Sequence, residues 1–303
     1  MSRRRFLGAL GTGAAASGTA TALTGRTAHA QALRPGGPAL REDRFGRMFP
    51  RLAPFAAPSA RLQAALLEIG RPGGLLDARD ALDRGPIDLI LDPALSLNNP
   101  NSTTHTAGAT FVGQFIDHDM TFDLTSRLGQ PADPERSPNA RTPALDLDSV
   151  YGGGPVASPE LYERAPAEGR LDRRPRRPMK FKVESGGLFE DLPRAADGTA
   201  ILADPRNDEN LMVAGLHAAF LLFHNHAVDV LLADDRRASA ESVFQEARRL
   251  TTWHYQWMVV HEFLPLFVGQ AMVDDILARG RRYYRPEVGF IPVEFQGAAY
   301  RFG

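Results

Sequence analysis

Apolar residues recur at helical spacing in the second half of the chain and predict two long helices. The first apolar stripe comprises Leu211, Ala214, Ala218, Leu221 and Leu222. The second runs toward Pro265 and comprises Phe244, Ala247, Leu250, Tyr255 and Met258. Spacings of three and four residues place each set on one helix face, whereas the alternation typical of strands is scarce. The pattern therefore predicts a mostly α fold.

Shorter segments separate into helices and loops. Residues 59–70 predict a helix that starts at a serine and stops at a glycine, and residues 106–120 predict another. The stretches 126–141 and 163–180 are rich in proline and predict loops, the second a basic, solvated one. The 28 glycines and 23 prolines among 303 residues agree with long loops between packed helices.

The first 30 residues resemble a twin-arginine export signal. Three consecutive arginines precede a weakly apolar Gly/Ala/Thr stretch, and Ala28-His29-Ala30 forms a small-x-small cleavage site. The alternative is a flexible tail with accidental arginines. We expect recognition by the twin-arginine export machinery and a periplasmic or extracellular location, with an irregular arm over residues 31–50.

Composition narrows the function classes. The chain has 35 basic and 36 acidic residues, and removing the four arginines of residues 1–30 leaves 31 against 36, a net charge of −5. This balance argues against a nucleic-acid partner. With no cysteine, disulfides, a catalytic thiol, iron–sulfur clusters and a thiolate-ligated haem are excluded. We expect no stretch after the signal to have the length and apolarity of a membrane span.

The densest chemical signal lies in the predicted helix 106–120. Gln114, Asp117 and His118 are spaced i, i+3 and i+4 and share one helix face among phenylalanines. This set suits a cavity for a flat apolar ligand. Asp119 is turned by about 100° from His118 and needs another partner. The alternative is a helix end whose acids form caps or pair with arginines.

Two further segments carry candidate chemistry. In 141–152, oxygen groups alternate at Thr142, the Ala144 carbonyl, Asp146 and Asp148, which suits a hard cation, although an Asx-type turn would give a similar pattern.

The segment 204–210 opens the helix at 211, where Asn207 or Asp208 is the expected cap, and Arg206 and Glu209 would otherwise belong to a charged helix start. On that helix we expect His217 and His224 to be buried core histidines that form hydrogen bonds.

Five ordered blocks resemble the animal-type haem peroxidases of the peroxidase–cyclooxygenase superfamily. They are 114–121, 145–152, 204–210 with the His217 and His224-Asn225 positions that follow, 263–269, and 299–303. The resemblance implies a peroxidase-like helical domain with long loops. The chain stops at Gly303, where the family places its proximal histidine next, so we expect 51–303 to be the distal part of a domain that is incomplete at its C-terminus.

The resemblance also implies an activity and its residues. His118 matches the distal acid–base residue and Arg206 the residue that stabilises charge as the O–O bond breaks. Gln114 matches a residue that orients water or halide. The implied enzyme is a haem-dependent peroxidase that reduces hydrogen peroxide and oxidises a small donor or halide.

Cofactors follow from the same resemblance. Haem b is implied, with Asp117 and Glu209 as carboxylates able to esterify it and Arg301 as a further cofactor-binding residue. The implied Ca²⁺ ligands are Asp119, Thr142, Ala144, Asp146 and Asp148. The alternatives are a non-catalytic, calcium-binding secreted module on this fold and a fatty-acid dioxygenase of the same superfamily.

Overall fold

The structure is a computed structural model, and helices provide the regular structure of the residues that it describes. These are residues 44–53, 55–98, 101–127, 130, 137–163, 180–185, 187–286 and 288–299. The signal, most of the arm at 31–50, the basic stretch 164–179 and Arg301 lie outside the described residues. Within these ranges the extended backbone pairs only as isolated bridges, so the expectation of a mostly α fold is confirmed.

One compact unit spans Phe49–Ala107. It contains α1 (Ala60–Gly70), α2 (Pro86–Leu91) and the 3₁₀ turns Leu82–Arg84 and Pro93–Leu95. The hydroxyl of Ser59 accepts a hydrogen bond from the Leu62 amide at 3.1 Å and caps α1. The start of this helix is therefore the predicted one.

The other unit comprises residues 1–48 and 108–303 and carries the candidate site. Its helices are α3 (Ala107–Met120), α4 (Asp148–Tyr151), α5 (Gly154–Ala157), α6 (Leu211–Asp234), α7 (Ala240–Met258), α8 (Leu264–Val268) and α9 (Gln270–Arg279). A π turn over Val259–Phe263 joins α7 to α8, and 3₁₀ turns occupy Pro159–Leu161 and Pro205–Asp208. A second π turn covers Phe295–Ala299. The two long predicted helices correspond to α6 and α7.

Aromatic side chains fill the core of this unit. Phe115 from α3, Tyr151 from α4 and Tyr255 from α7 are fully buried. Phe115 contacts Tyr255 edge to face, with ring centroids 6.1 Å apart, a geometry that the ring quadrupoles favour. His224 of α6 is buried against Tyr151 and forms a 2.9 Å hydrogen bond with its hydroxyl. His224 is thus the hydrogen-bonded core histidine expected from the sequence.

The start of α6 differs from the prediction. Asn210 is the N-cap, and its side-chain oxygen accepts hydrogen bonds from the amides of Met212 and Val213. The expectation that Asn207 or Asp208 caps this helix is wrong, because both belong to the preceding 3₁₀ turn Pro205–Asp208. That turn leaves the Asn207 side chain available for other contacts.

Helix α6 also corrects the expectation about membrane spans. Leu211–Asp234 has the length and apolar composition that would suffice to cross a bilayer. Its apolarity has a second explanation, because Val213, Leu221 and Val228 are buried in the protein core. The same helix buries two hydrogen-bonded histidines, which is typical of a core helix.

Candidate functional site

Side-chain amides and a carboxylate connect α3 to the segment before α6. Gln114 Nε2 donates a hydrogen bond to Glu209 Oε2 at 3.0 Å. Asn210 Nδ2 donates to Gln114 Oε1 at 3.1 Å. The fold thus brings two of the residues singled out from the sequence into contact across 95 positions of chain.

His118 lies at the same junction with its two ring nitrogens in different surroundings. The residue is only 6% exposed. Nδ1 lies 2.9 Å from Asn207 Oδ1, whereas Nε2 has no hydrogen-bond partner among the described residues and lies 3.9 Å from Glu209 Oε2. Burial, and then the positive charge of Arg206, lower the pKa of His118. The imidazole is therefore neutral near pH 7, with Nε2 facing the carboxylate.

Arg206 reaches His118 through the backbone. Its Nη2 donates to the His118 carbonyl at 3.0 Å, and its guanidinium lies over the Phe122 ring at 4.0 Å. Two further hydrogen bonds, of 3.0 and 2.7 Å, join Arg206 to the carboxylate of Asp204. The structure thus places the guanidinium charge beside His118, where it contacts the carbonyl of that residue and the aromatic ring.

A buried carboxylate holds two arginines. Asp204 is fully buried and accepts hydrogen bonds from Arg141 at 2.9 and 2.6 Å in addition to those from Arg206. Burial alone raises the pKa of Asp204, but the two guanidiniums outweigh it and hold that pKa well below its usual range. This triad is not predictable from the motifs. The residue that could have indicated it is Arg141, a basic residue at the start of the oxygen-rich loop.

Three carboxylates converge at that loop. Oxygen atoms of Asp119, Asp146 and Asp148 all lie within 4.8 Å of one another. Thr142 Oγ1 donates to Asp146 at 2.7 Å and contacts Asp148 at 3.3 Å. The Ala144 amide donates to the Thr142 carbonyl, so Ala144 belongs to the same turn, and its carbonyl stays a predicted ligand.

Asp119 has the separate partners that its orientation requires. Its carboxylate accepts hydrogen bonds from the Leu147 amide at 3.1 Å and from the Ser149 hydroxyl at 2.9 Å. Leu147 is fully buried with φ of 58°, a left-handed conformation that is costly for a residue with a branched side chain. The Asp119 carboxylate therefore stabilises a strained turn of the loop.

The charges in this cluster suit a cation. Burial and repulsion by Asp148 and Asp146 raise the pKa of Asp119 to about 7, and burial also raises that of Asp148 to about 6. Asp148 Oδ1 is buried without a hydrogen-bond partner among the described residues, and Arg141 Nε lies 3.8 Å away. A hard divalent cation would relieve this repulsion and coordinate the orphan oxygen.

The residues around His118 fit one side of a haem. The peroxide side of a haem needs a neutral base whose nitrogen is free to accept a proton, and His118 Nε2 has no hydrogen-bond partner among the described residues. Glu209 has a carboxylate that is 51% exposed, and Asp117 is buried on the same helix as His118. None of the described residues matches the family's proximal histidine, which would bind the haem iron.

Comparison with known proteins agrees with the family resemblance. A family model described as animal haem peroxidase matches residues 125–303, which is more than half of the chain. Gln114 and His118 on α3 precede the matched range. The match contains Asp146, Asp148, Arg206 and Glu209.

Two curated relatives are similar to part of this chain. Human thyroid peroxidase is 28% identical over 188 residues, which cover 57% of this chain and 20% of that protein. The peroxidasin homologue pxn-2 of Caenorhabditis elegans is 27% identical over 180 residues, 54% of this chain and 13% of that protein. This chain thus matches a fifth or less of the length of these two relatives.

Peroxidase A from Dictyostelium discoideum has a similar fold, with a TM-score of 0.50 at 15% identity over 66% of this chain and 47% of that one. The family model covers the larger part of the sequence, and the fold agrees with it. The chain belongs to the animal haem peroxidase family.

Proposed function

We propose that this chain provides the peroxide-cleaving side of a haem peroxidase that reduces hydrogen peroxide and oxidises a small donor or halide. The observation that carries the proposal is the junction of α3 with the 3₁₀ turn Pro205–Asp208, where the unbonded Nε2 of His118 faces Glu209 at 3.9 Å. Family membership supports haem as the cofactor.

His118 carries out the acid–base step. Haem, when bound, would supply the electrons for breaking the O–O bond of peroxide. His118 Nε2 accepts a proton from one peroxide oxygen and returns it to the other, which leaves as water. A neutral imidazole is required for the first transfer, and the lowered pKa of His118 keeps it neutral.

Two other residues support this step. Arg206 places a positive charge beside His118 and stabilises negative charge on the departing oxygen. Gln114, which holds the Glu209 carboxylate, orients water or halide next to the reacting oxygen. Asp117 and Glu209 hold the haem, as ester links where they react with its methyl groups, and Arg301 contributes to haem binding.

A spectroscopic titration tests this proposal. In a full-length version of the protein, added haem is expected to produce a Soret band and peroxide-dependent oxidation of a dye. His118→Ala should leave haem binding unchanged and slow the peroxide reaction by about 10²–10⁴-fold, the usual contribution of a positioned acid–base group. His226→Ala, on the exposed side of α6, is the matched control and should react like the parent.

Three outcomes would contradict the proposal. A His118→Ala variant that reacts with peroxide as fast as the parent would remove the acid–base role. A chain that binds calcium but produces no Soret band would favour the non-catalytic calcium-binding module. Peroxide-independent oxygenation of a fatty acid by the haem-loaded chain would favour the dioxygenase.

We also propose that Ca²⁺ occupies the carboxylate cluster, with Asp119, Thr142, Ala144, Asp146 and Asp148 as ligands. The orphan oxygen of Asp148 and the raised pKa of Asp119 support it. Asp146→Ala should lower both the bound calcium, measured by calorimetry, and the rise in Tm that calcium causes. Asp234→Ala, exposed at the end of α6, is the control, and equal calcium binding in Asp146→Ala and the parent would refute the assignment.

The location of the protein is a further part of the proposal. Residues 1–30 direct the folded chain through the twin-arginine export machinery to the periplasm or the exterior. This route carries folded proteins, which suits a chain whose cofactor is inserted before export.

A further inference from the structure

Asn207 lies between two buried imidazoles. Its Oδ1 is 2.9 Å from His118 Nδ1, and its Nδ2 is 2.9 Å from His217 Nδ1. Asn207 is fully buried and His217 is 1% exposed, so solvent does not compete for these contacts. Each hydrogen bond of the amide therefore constrains the ring that it meets.

The amide chemistry specifies where the protons are. A side-chain amide oxygen only accepts hydrogen bonds, and its nitrogen only donates them. With the Asn207 amide in this orientation, His118 carries its proton on Nδ1 and His217 leaves Nδ1 unprotonated. A neutral imidazole has a single N–H, so Nε2 of His118 is left with a lone pair.

We propose that Asn207 is a positioning residue that fixes His118 in the Nδ1–H tautomer, and that His217 orients the amide for this task. The functional part of this inference rests on the proposed peroxidase function, in which Nε2 of His118 accepts the peroxide proton. The tautomer itself follows from the contacts of the chain and is measurable without peroxide.

Asn207 is adjacent in sequence to Arg206, the other residue of this turn that contacts His118. Asn207 directly follows Arg206 in the 3₁₀ turn Pro205–Asp208, which the carboxylate of Asp204 caps by accepting from the Arg206 amide at 3.0 Å. One short turn thus presents the guanidinium to the His118 carbonyl and the amide to the His118 ring. Asn207 thus sets the position of the proton on His118, and its neighbour Arg206 supplies the positive charge.

Nitrogen NMR of histidine side chains tests the tautomer directly. The full chain is labelled with ¹⁵N-histidine, and the His118 signals are assigned by their loss in His118→Ala. In the parent, Nδ1 is expected to show a protonated shift and Nε2 a lone-pair shift. Asn207→Leu should transfer the proton to Nε2 in part or in full, because the acceptor at Nδ1 is gone.

Two more variants separate this role from simple packing. Asn207→Asp retains an oxygen opposite Nδ1 and should keep a proton on His118 Nδ1, which decides the question even when Asn207→Leu does not fold. Asn225→Leu is the matched control, because Asn225 bridges the amide and carbonyl of Phe181 at 2.7 and 2.9 Å. It should leave the His118 signals unchanged.

The results that overturn the inference are specific. An unprotonated Nδ1 of His118 in the parent or in Asn207→Asp contradicts it, as does an unchanged tautomer in a folded Asn207→Leu. In haem-loaded chains, Asn207→Leu should slow the peroxide reaction by about 10²–10⁴-fold with unchanged haem affinity.

Failure of the proposed function is distinguishable from failure of this inference. Inactive parent and variants with the expected tautomers would refute the peroxidase function alone. An active parent and an equally active Asn207→Leu with an altered tautomer would refute the positioning role alone.

Discussion

Replacing His217 by glutamine is expected to remove part of the acid sensitivity of the fold. His217 is buried, and burial lowers its pKa to about 4 from an ordinary 6.5, although the carboxylates of Asp204 and Asp208 partly oppose this. The unfolded chain therefore binds a proton at this ring that the folded chain rejects. The stabilisation is complete above pH 6.5 and is lost as the pH falls toward 4.

The size of the effect follows from the two pKa values. Each pH unit between them corresponds to about 1.4 kcal/mol, so the neutral ring accounts for roughly 3 kcal/mol of unfolding free energy over the whole window. Glutamine is a suitable replacement because its side-chain oxygen can accept the hydrogen bond that Asn207 Nδ2 donates to the ring.

Urea unfolding in calcium-free buffer, from about pH 7 to about pH 4.5, measures this difference. The parent should lose unfolding free energy faster than His217→Gln as the pH falls, by about 1.4 kcal/mol per unit inside the window. His226→Gln, exposed on the same helix, should follow the parent. The raised pKa values of Asp119 and Asp148 act in the opposite direction, but both residues are present in every variant and cancel in the comparison.

Parallel pH profiles for the parent and His217→Gln would refute this reasoning. They would mean that the ring accepts a proton within the folded core near its ordinary pKa. Below that pKa, Asn207 Nδ2 would face a protonated nitrogen, and its hydrogen bond to His217 would not persist.

Two further variants probe the packing around the site. Asp204→Asn should destabilise the fold by about 3–5 kcal/mol in urea unfolding, because it removes the charge that pairs with the buried guanidinium of Arg141 at hydrogen-bond distance. A loss below about 1 kcal/mol would show that the pair is not the main support of this region. Tyr151→Phe removes the 2.9 Å hydrogen bond to His224 and should lower the unfolding free energy by about 1 kcal/mol, with no change in calcium binding. A more stable Tyr151→Phe would mean that the hydroxyl is a net cost to the core.

Local features of the fold were predictable because they depend on residues close in sequence. The cap of α1 at Ser59 and the shared face of Gln114 and His118 follow from helical geometry alone. The separate orientation of Asp119 follows from the same geometry, and its contacts with Leu147 and Ser149 agree with it.

Long-range polar contacts were not predictable in the same way. Arg141 and Asp204 are 63 positions apart, and nothing local distinguishes a buried arginine–aspartate pair from two surface charges. The cap of α6 was misassigned because Asn207, Asp208 and Asn210 all have suitable side chains. Only the conformation of the preceding turn selects Asn210. The contact of Arg206 with a backbone carbonyl likewise has no signature in the motif.

One carboxylate, that of Asp204, joins the loop containing Arg141 and the turn containing Arg206. Arg141 also lies 3.8 Å from Asp148. The cation loop and the turn that contains Arg206 are therefore held together by one ionic link. Transplanting the loop into another scaffold would require Arg141, Asp204 and Arg206 to be transferred together. Substitutions in the loop would be tolerated only where they preserve the orientation of Arg206.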